Sequence, residues 1–475
     1  VVFGVVLPLL ICLNNIHILQ QNSYRNSRYR RWFSLKNYLS TFKWVRKQKL
    51  PLVYTPRVKR LIATCVILII LIQAGLVLLT QNMYCGYLLA VFAFLIVQAA
   101  NVLNAPIEKS IAQGYYNDAK RILRSMPDLT IIGITGSFGK TSTKNYLYRI
   151  LSERYNVLMT PGNFNTTLGV IRTIREQLKP HHQIFIVEMG AKQVGDIKEI
   201  CDLVHPTIGI VTAVGEMHLE TFKSVENIQK TKFELIDSLP VNGLGIINYD
   251  SEHICGYKGI SEKCRIVKYA IKNNGEYRAT DVLYSGNGVS FTLSTNGERF
   301  ESRLLGTGNL LNILATTVVA DYLDVPVQKQ KKAIARLQPV EHRLSMNRAN
   351  GITILDDAYN SNPNGARMAL EVLKNFNLSK ENKRIIVTPG FVEMGARQYD
   401  ANKGLGTVIA SCADYAIIVN ATNREAISKG LSEGGMNSEK IYFAENLTEA
   451  RKHLGSILQA GDVILYENDL PDNFK

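Results

Sequence analysis

No Asp or Glu occurs in the first 107 residues of this 475-residue chain; the first acidic side chain is Glu108. Lys and Arg, by contrast, appear twelve times between Arg25 and Arg60, so most of the formal net charge of +15 sits in one short segment. That distribution argues against a nucleic-acid-binding protein, because the basic residues flank apolar runs instead of decorating the folded part. Cysteine is scarce: there are seven, scattered without a Cys-x-x-Cys pair, which excludes a disulfide framework and a zinc ribbon. Repeats and low-complexity segments are missing, and a content of 46% hydrophobic and 20% charged residues excludes a disordered or collagen-like chain. No basic stretch precedes the first apolar run, Val1 to Cys12, and no small-residue cleavage site follows it, which disfavours a signal peptide.

Long apolar runs are what the N-terminal quarter does contain. Leu61 to Thr80 is interrupted only by Gln73, and Met83 to Ala100 only by Gln98 near its end, so each is long enough to cross a hydrocarbon core of about 30 Å as a helix. The pattern predicts a membrane region over residues 1–107: a partial helix at 1–18, a basic cytoplasmic loop at 19–60, and a hairpin of helices at 61–80 and 83–100. The basic loop should stay inside, which makes the expected protein a multi-pass plasma-membrane protein with its folded domains in the cytoplasm. Tyr24 to Trp32, aromatic and basic, suits either an interfacial helix on anionic membrane lipids or a solvated loop.

After a linker helix at 108–128 the texture changes to an α/β chain. Apolar, β-branched runs at Leu129–Thr135, Gln183–Met189, Thr207–Ala213 and Leu244–Asn248 alternate with helical stretches, which predicts a mainly parallel sheet covered on both faces. Alternating segments such as Val289–Ser294 follow, then a helix over Asn309–Leu323. A second series, Ile352–Asp356, Arg384–Thr388, Tyr415–Val419 and Asp462–Tyr466, begins beyond a boundary near Gln338–His342, where Pro339 breaks a helix. The expected class is therefore α/β: N-terminal transmembrane helices, then a mainly parallel sheet domain at 129–338, which the loop Gly136-Ser137-Phe138-Gly139-Lys140-Thr141-Ser142 marks as a P-loop ATPase domain, and a Rossmann-like α/β domain at 339–475.

The strongest chemical signal is Gly133-Ile134-Thr135-Gly136-Ser137-Phe138-Gly139-Lys140-Thr141-Ser142, which follows a strand and opens a helix. Backbone N–H groups of Gly136, Ser137 and Gly139 in such a loop, with the positive helix N-terminus, cradle phosphates; Lys140 reaches the outer phosphates and the Thr141 hydroxyl meets Mg²⁺, with Ser142 beside it. One glycine of the general pattern is missing, since Ile134 stands where it belongs. The loop specifies ATP or a similar nucleotide, not the reaction.

Further motifs narrow the reaction. In order come Thr160-Pro161-Gly162-Asn163-Phe164-Asn165, Val187-Glu188-Met189-Gly190-Ala191, Met217-His218-Leu219-Glu220, Thr231-Lys232-Phe233-Glu234, Gly306-Thr307-Gly308-Asn309-Leu310-Leu311-Asn312, Glu341-His342-Arg343-Leu344 and Asp356-Asp357-Ala358-Tyr359-Asn360-Ser361-Asn362-Pro363. Taken with the P-loop, this series resembles the Mur ligase family over roughly Leu129 to Asp469.

The resemblance implies an enzyme. ATP phosphorylates a substrate carboxylate, and an amine then displaces phosphate from the acyl phosphate to form an amide bond. Bringing anions together requires fixed cations between them. By the same likeness Lys140, Glu188, His218 and Lys232 form the catalytic set. Thr141 holds one Mg²⁺, Glu188 and His218 hold a second, and Lys232 is the lysine that the family carbamylates. Asn309 and Asn312, one helical turn apart, look like adenine contacts, with Arg343 at phosphate and Asp357 at ribose. The implied partners are a carboxylate-bearing cell-wall precursor, an amino acid or dipeptide amine, and membrane lipids.

Departures from the family pattern bear on substrate. Gly308 replaces the usual His before the first Asn, and Phe138 replaces a small polar residue. The family's uridine-nucleotide domain gives way to the apolar region, and its C-terminal Lys-Gly-Ser to Tyr466-Glu467-Asn468-Asp469-Leu470-Pro471-Asp472. Three functions are compatible with these residues: a membrane-anchored ligase of cell-wall precursor synthesis; a related ligase of polyglutamate type or for a lipid-linked precursor; and a non-catalytic nucleotide-binding scaffold at the membrane.

Overall fold

The computed structural model describes residues 2–22, 24–34, 38–39, 51–217, 219–359, 362–376 and 378–469. The chain divides into two compact units, Val1–Asn117 and Asp118–Lys475.

The first unit is helical. Val2–Gln21, the basic segment Asn26–Trp32 and the long Pro56–Thr80 are all helices. Pro56 sits at the first turn of the last, and the Thr55 hydroxyl accepts from the Val58 N–H, so the start of that helix is well capped. Buried Ile16, Leu19, Tyr29, Cys65, Ile69 and Val97 form the core, and the Tyr29 hydroxyl donates to Asn15 Oδ1 at 2.9 Å. Glu108, the first acid of the sequence, receives a two-pronged bond from Arg60 at 2.7 and 3.0 Å.

Among the described residues one helix, Pro56–Thr80, is long and apolar enough to cross a membrane, with a mean hydropathy of 2.9 in its best window. The expected span at 83–100 is not one helix: Met83–Tyr87 is a 3₁₀ turn, Leu88–Val91 a single helical turn, and Ala93–Arg124 one continuous helix that takes in the expected linker helix at 108–128 as far as Arg124. Hydropathy reports composition and is blind to this division. Gly86 favours a break inside the apolar run, whereas the second piece runs on through Pro106 and past the end of the apolar residues, where helix formers such as Glu108, Lys109, Ala112, Gln113, Ala119 and Lys120 carry it. The helix expected to end at 18 runs on to Gln21, and residue 1 lies outside the described residues.

The second unit carries two sheets. β1 (Thr130–Thr135), β2 (Val157–Met159), β3 (Ile184–Glu188), β4 (Ile208–Val211), β5 (Leu244–Asn248), β6 (Arg265–Ala270), β7 (Tyr277–Ser285), β8 (Gly288–Leu293) and β9 (Arg299–Ser302) form a nine-stranded sheet in the order β2-β3-β1-β4-β5-β6-β7-β8-β9. The strands from β2 to β7 in that order pair in parallel, and β7-β8-β9 is an antiparallel meander. β1, β3, β4 and β5 are buried nearly throughout, as parallel strands with both faces covered must be, which is why they read as continuous runs of Ile, Val and Phe.

β10 (Ser345–Ala349), β11 (Ile352–Asp357), β12 (Arg384–Thr388), β13 (Tyr415–Val419), β14 (Ile441–Ala444) and β15 (Val463–Glu467) form a second sheet in the order β10-β11-β15-β12-β13-β14. All its pairs are parallel except β10-β11. The sites that matter lie where such sheets place them, at the C-terminal ends of parallel strands: after β1, β3 and β4 in one sheet and after β11 in the other.

Candidate active site

β1 ends at Thr135 and the helix Lys140–Leu151 starts five residues later. Gly136 (φ 152°) and Gly139 (φ 80°) make the intervening loop possible. A Cβ on Gly136 would overlap Thr212 Oγ1, and one on Gly139 would lie 2.6 Å from Asn312 Oδ1, so any side chain there would force the loop off both neighbours. Ser137 faces away from the helix axis: its hydroxyl donates to the Gly215 carbonyl at 3.1 Å and ties the loop to the segment after β4. Lys140 Nζ reaches back over the loop to the carbonyls of Gly136 at 2.6 Å and Ser137 at 3.2 Å. Burial lowers its pKa to about 8, with Glu188 opposing the fall and Arg343 adding to it.

Glu188 closes β3 directly beside this loop. The Thr141 hydroxyl donates to its Oε1 at 3.2 Å, and Asn165 Nδ2 donates to the same oxygen at 3.1 Å. Lys144 Nζ lies 2.9 Å from Oε2, off the hydrogen-bonding direction, and donates to the Gly162 carbonyl at 2.7 Å. Lys144 and Glu188 are 1% and 2% exposed, so this is a fully desolvated ion pair. Burial by itself would raise the Glu188 carboxyl; Lys144 and Lys140, with the hydrogen bonds, hold it below the usual value. Neither Lys144 nor Asn165 stood among the expected site residues. The available signal was a charged residue at one helical turn from Lys140, on the helix face that also carries buried Leu147 and Leu151.

Thr141 Oγ1 and Glu188 are hard oxygen donors side by side, a set that fits Mg²⁺, which takes one or two protein oxygens and completes its shell with waters and substrate phosphates. Among the described residues no three His, Cys, Asp or Glu side chains form a metal-ligating group. His218, expected as the second ligand, lies outside the described residues, between Met217 and the helical turn Leu219–Phe222. Lys232, on the helix Val225–Asp237, is buried and close enough to Lys140 for the two charges to repel. Burial first, then Lys140, lowers its pKa to about 7, so much of the amine is neutral at physiological pH.

The helix Gly306–Tyr322 crosses the P-loop helix and brings two buried asparagines to it. Tyr146 donates to Asn309 Oδ1 at 2.8 Å, Asn309 Nδ2 donates to the Leu305 carbonyl at 2.9 Å, and Thr143 donates to Asn312 Oδ1 at 3.2 Å. One cavity is lined by Gly139, Ser142, Asn309, Asn312, Arg343 and Asp357, residues spread over 219 positions of sequence. Phe138 and Met368 line it as well. A Cβ on Gly308 would lie 3.1 Å from the Met368 sulfur, so the missing side chain at 308 is answered by a methionine from the helix Pro363–Lys374. At the far wall the Arg343 guanidinium stacks 4.4 Å over the Tyr359 ring, and Asp357 Oδ1 accepts the Leu344 N–H at 2.9 Å. Burial raises the Asp357 carboxyl to about 6 against the pull of Arg343.

Similarity to known proteins fits this geometry. The Mur ligase middle domain is matched over residues 134–320, and the Mur ligase glutamate ligase domain over 342–466. A UDP-N-acetylmuramoyl-tripeptide–D-alanyl-D-alanine ligase of Buchnera aphidicola is 30% identical over 335 residues, 70% of this chain and 70% of the relative.

The chain belongs to the Mur ligase family.

A second relative of the same name, from Bacillus subtilis, is 28% identical over 71% of this chain and 72% of its own length. The MurF ligase of Thermotoga maritima, solved in complex with ADP, matches with a TM-score of 0.66 at 27% identity, over 75% of this chain and 80% of that one. As a Mur ligase, the protein is an ATP-dependent acid–amino-acid ligase with the family's mixed α/β architecture. Where the family pattern ends in Lys-Gly-Ser, this Mur ligase has a fully buried Glu467 at the end of β15, whose register partner on β11 is Asp357. Asn468, at φ 66°, donates to the Gly390 carbonyl at 2.6 Å, and Leu470 to Asp472 lie outside the described residues.

Proposed function

We propose that this Mur ligase is anchored in the plasma membrane with its catalytic unit in the cytoplasm, and that it joins an amino acid or dipeptide amine to the carboxylate of a cell-wall precursor through an acyl phosphate. The observation that carries the reading is the convergence of Lys140, Thr141 and Glu188 with Arg343 and Asp357 from the second sheet; Lys140, Glu188 and Arg343 lie close enough to act on one another electrostatically. A carboxylate and a γ-phosphate repel, and an arrangement of cations around their meeting point lowers that barrier.

In this reading Lys140 and Arg343 bind phosphate oxygens, Asn309 and Asn312 read adenine, and Asp357 accepts a ribose hydroxyl. Thr141 would hold one Mg²⁺ and Glu188 with His218 a second, and the metal would supply charge neutralisation at the transferring phosphate. Lys232, partly neutral at physiological pH, supplies the free amine that carbamylation requires. Because the Asp357 carboxyl lies near 6, it is ionised at pH 7.5 and largely protonated at pH 5, where it loses its charge as an acceptor. The KM for ATP is therefore expected to rise as pH falls through about 6, and Asp357→Asn to flatten that dependence; an unchanged profile in the variant would remove Asp357 from the ribose.

The long apolar helix Pro56–Thr80, ahead of the catalytic unit in the sequence, supports a precursor presented at the membrane. In this reading Pro56–Thr80 crosses, and the chain returns through the broken helical pieces of 83–100. Tethering raises the effective concentration of a lipid-linked precursor without any new contact, and gives a soluble UDP-linked peptide no such gain. The test compares the full chain in liposomes with a form lacking residues 1–107, offering each a lipid-linked and a UDP-linked acceptor. The full chain should prefer the lipid-linked acceptor; equal use of the UDP-linked peptide by the truncated form would reduce the membrane region to an address. Topology is checked by placing a cysteine at Asn82 or Asn101. A membrane-impermeant thiol reagent should label the first in intact cells and spare the second.

A further inference from the structure

His342 and Leu344 flank Arg343, and both are in the left-handed region, at φ 58° and 49°. For residues with a Cβ, a leucine above all, this conformation is sterically costly, and two such residues in three persist only where their surroundings over-determine them. The contacts that hold this turn run to the end of β11. His342 Nδ1 donates to Asp356 Oδ2 at 2.7 Å, and the other Asp356 oxygen accepts the Ala358 N–H at 3.1 Å. The His342 carbonyl accepts the Tyr359 N–H at 3.3 Å, the Leu344 N–H goes to Asp357 Oδ1, and the Arg343 guanidinium rests on the Tyr359 ring.

Arg343 and Leu344 line the nucleotide cavity; His342 does not, and its side chain is half exposed. Its contribution must therefore pass through its neighbours. We infer that His342 is a positioning residue: clamped to Asp356, it holds the 342–344 turn in the conformation that aims Arg343 and the Leu344 N–H at the cavity. Were the turn to relax to negative φ, the Leu344 N–H would swing off Asp357 and Arg343 would leave Tyr359. The inference rests on the reading in which Arg343 and Asp357 bind ATP.

The experiment uses the full-length protein in detergent micelles, with equilibrium binding of a fluorescent ATP analogue and the melting temperature measured for His342→Ala, His342→Gly, Asp356→Asn and Arg343→Ala. His342→Ala and Asp356→Asn are each expected to weaken binding about tenfold, the scale on which losing one strained, preorganised turn acts. His342→Gly should bind as weakly as His342→Ala yet melt at or above wild type, because glycine adopts positive φ without steric cost. A purely structural role would move affinity and melting temperature together. Wild-type binding by His342→Ala and Asp356→Asn overturns the inference, and so does wild-type binding by His342→Gly, which would assign the turn to the backbone. Wild-type binding by Arg343→Ala would instead overturn the ATP reading of Arg343.

Discussion

Replacing Lys140 by alanine is expected to lower ATP turnover by at least about 100-fold, the range seen when one preorganised charge at a developing anion is removed. The ammonium already lies over the Gly136 and Ser137 carbonyls, in a loop where neither Gly136 nor Gly139 has room for a side chain that could take its place. It also sits within the electrostatic reach of Glu188 and Arg343, so its loss unbalances the site as well as the loop. Phosphate release, measured on the full chain with and without acceptor, provides the check. Turnover at the wild-type level would remove the P-loop from the mechanism and leave the nucleotide-binding scaffold as the surviving reading.

The second large effect concerns a residue whose importance lies in a partner 44 positions away. Lys144→Met is expected to destabilise the second unit by about 3–5 kcal/mol, the range for stranding one member of a buried ion pair. The pair is fully desolvated, so Glu188 would keep its burial and lose its main counter-charge. The double variant Lys144→Met, Glu188→Met should recover most of the loss, because an apolar pair of similar volume has no desolvation penalty to offset. The pH dependence should reverse as well. In the wild type the Glu188 carboxyl is held below its ordinary value, so its contribution to stability is present above the ordinary carboxylate range and is lost as pH falls through the lowered value. In Lys144→Met burial dominates, the carboxyl is raised, and the variant should lose least stability at mildly acid pH. Thermal unfolding across pH 3 to 8 measures both effects; equal melting of wild type and Lys144→Met at every pH would mean the pair contributes nothing.

Local chemistry made much of this protein legible before any coordinate. Parallel strands covered on both faces must be continuously apolar and β-branched, so β1, β3, β4 and β5 stand out as runs of Ile, Val and Phe, each within two residues of its expected bounds. A loop that approaches phosphates needs glycines and a lysine at fixed spacing, so Gly136, Gly139 and Lys140 were readable in the same way. The basic stretch from Arg25 to Arg60 and the apolar run after it were likewise a matter of composition. Tertiary packing decided the rest. Whether an apolar run is one helix depends on where the backbone breaks, and the division at 83–92 is a feature of the folded chain that hydropathy does not encode. Lys144 became a buried counter-ion only because β3 ends beside the P-loop helix. Asp357 and Lys232 acquired their shifted titration from burial, and the left-handed turn around Arg343 from contacts at the end of β11. Composition and spacing act along the chain and can be read from it, whereas desolvation and charge pairing depend on which distant residues close the space around a group.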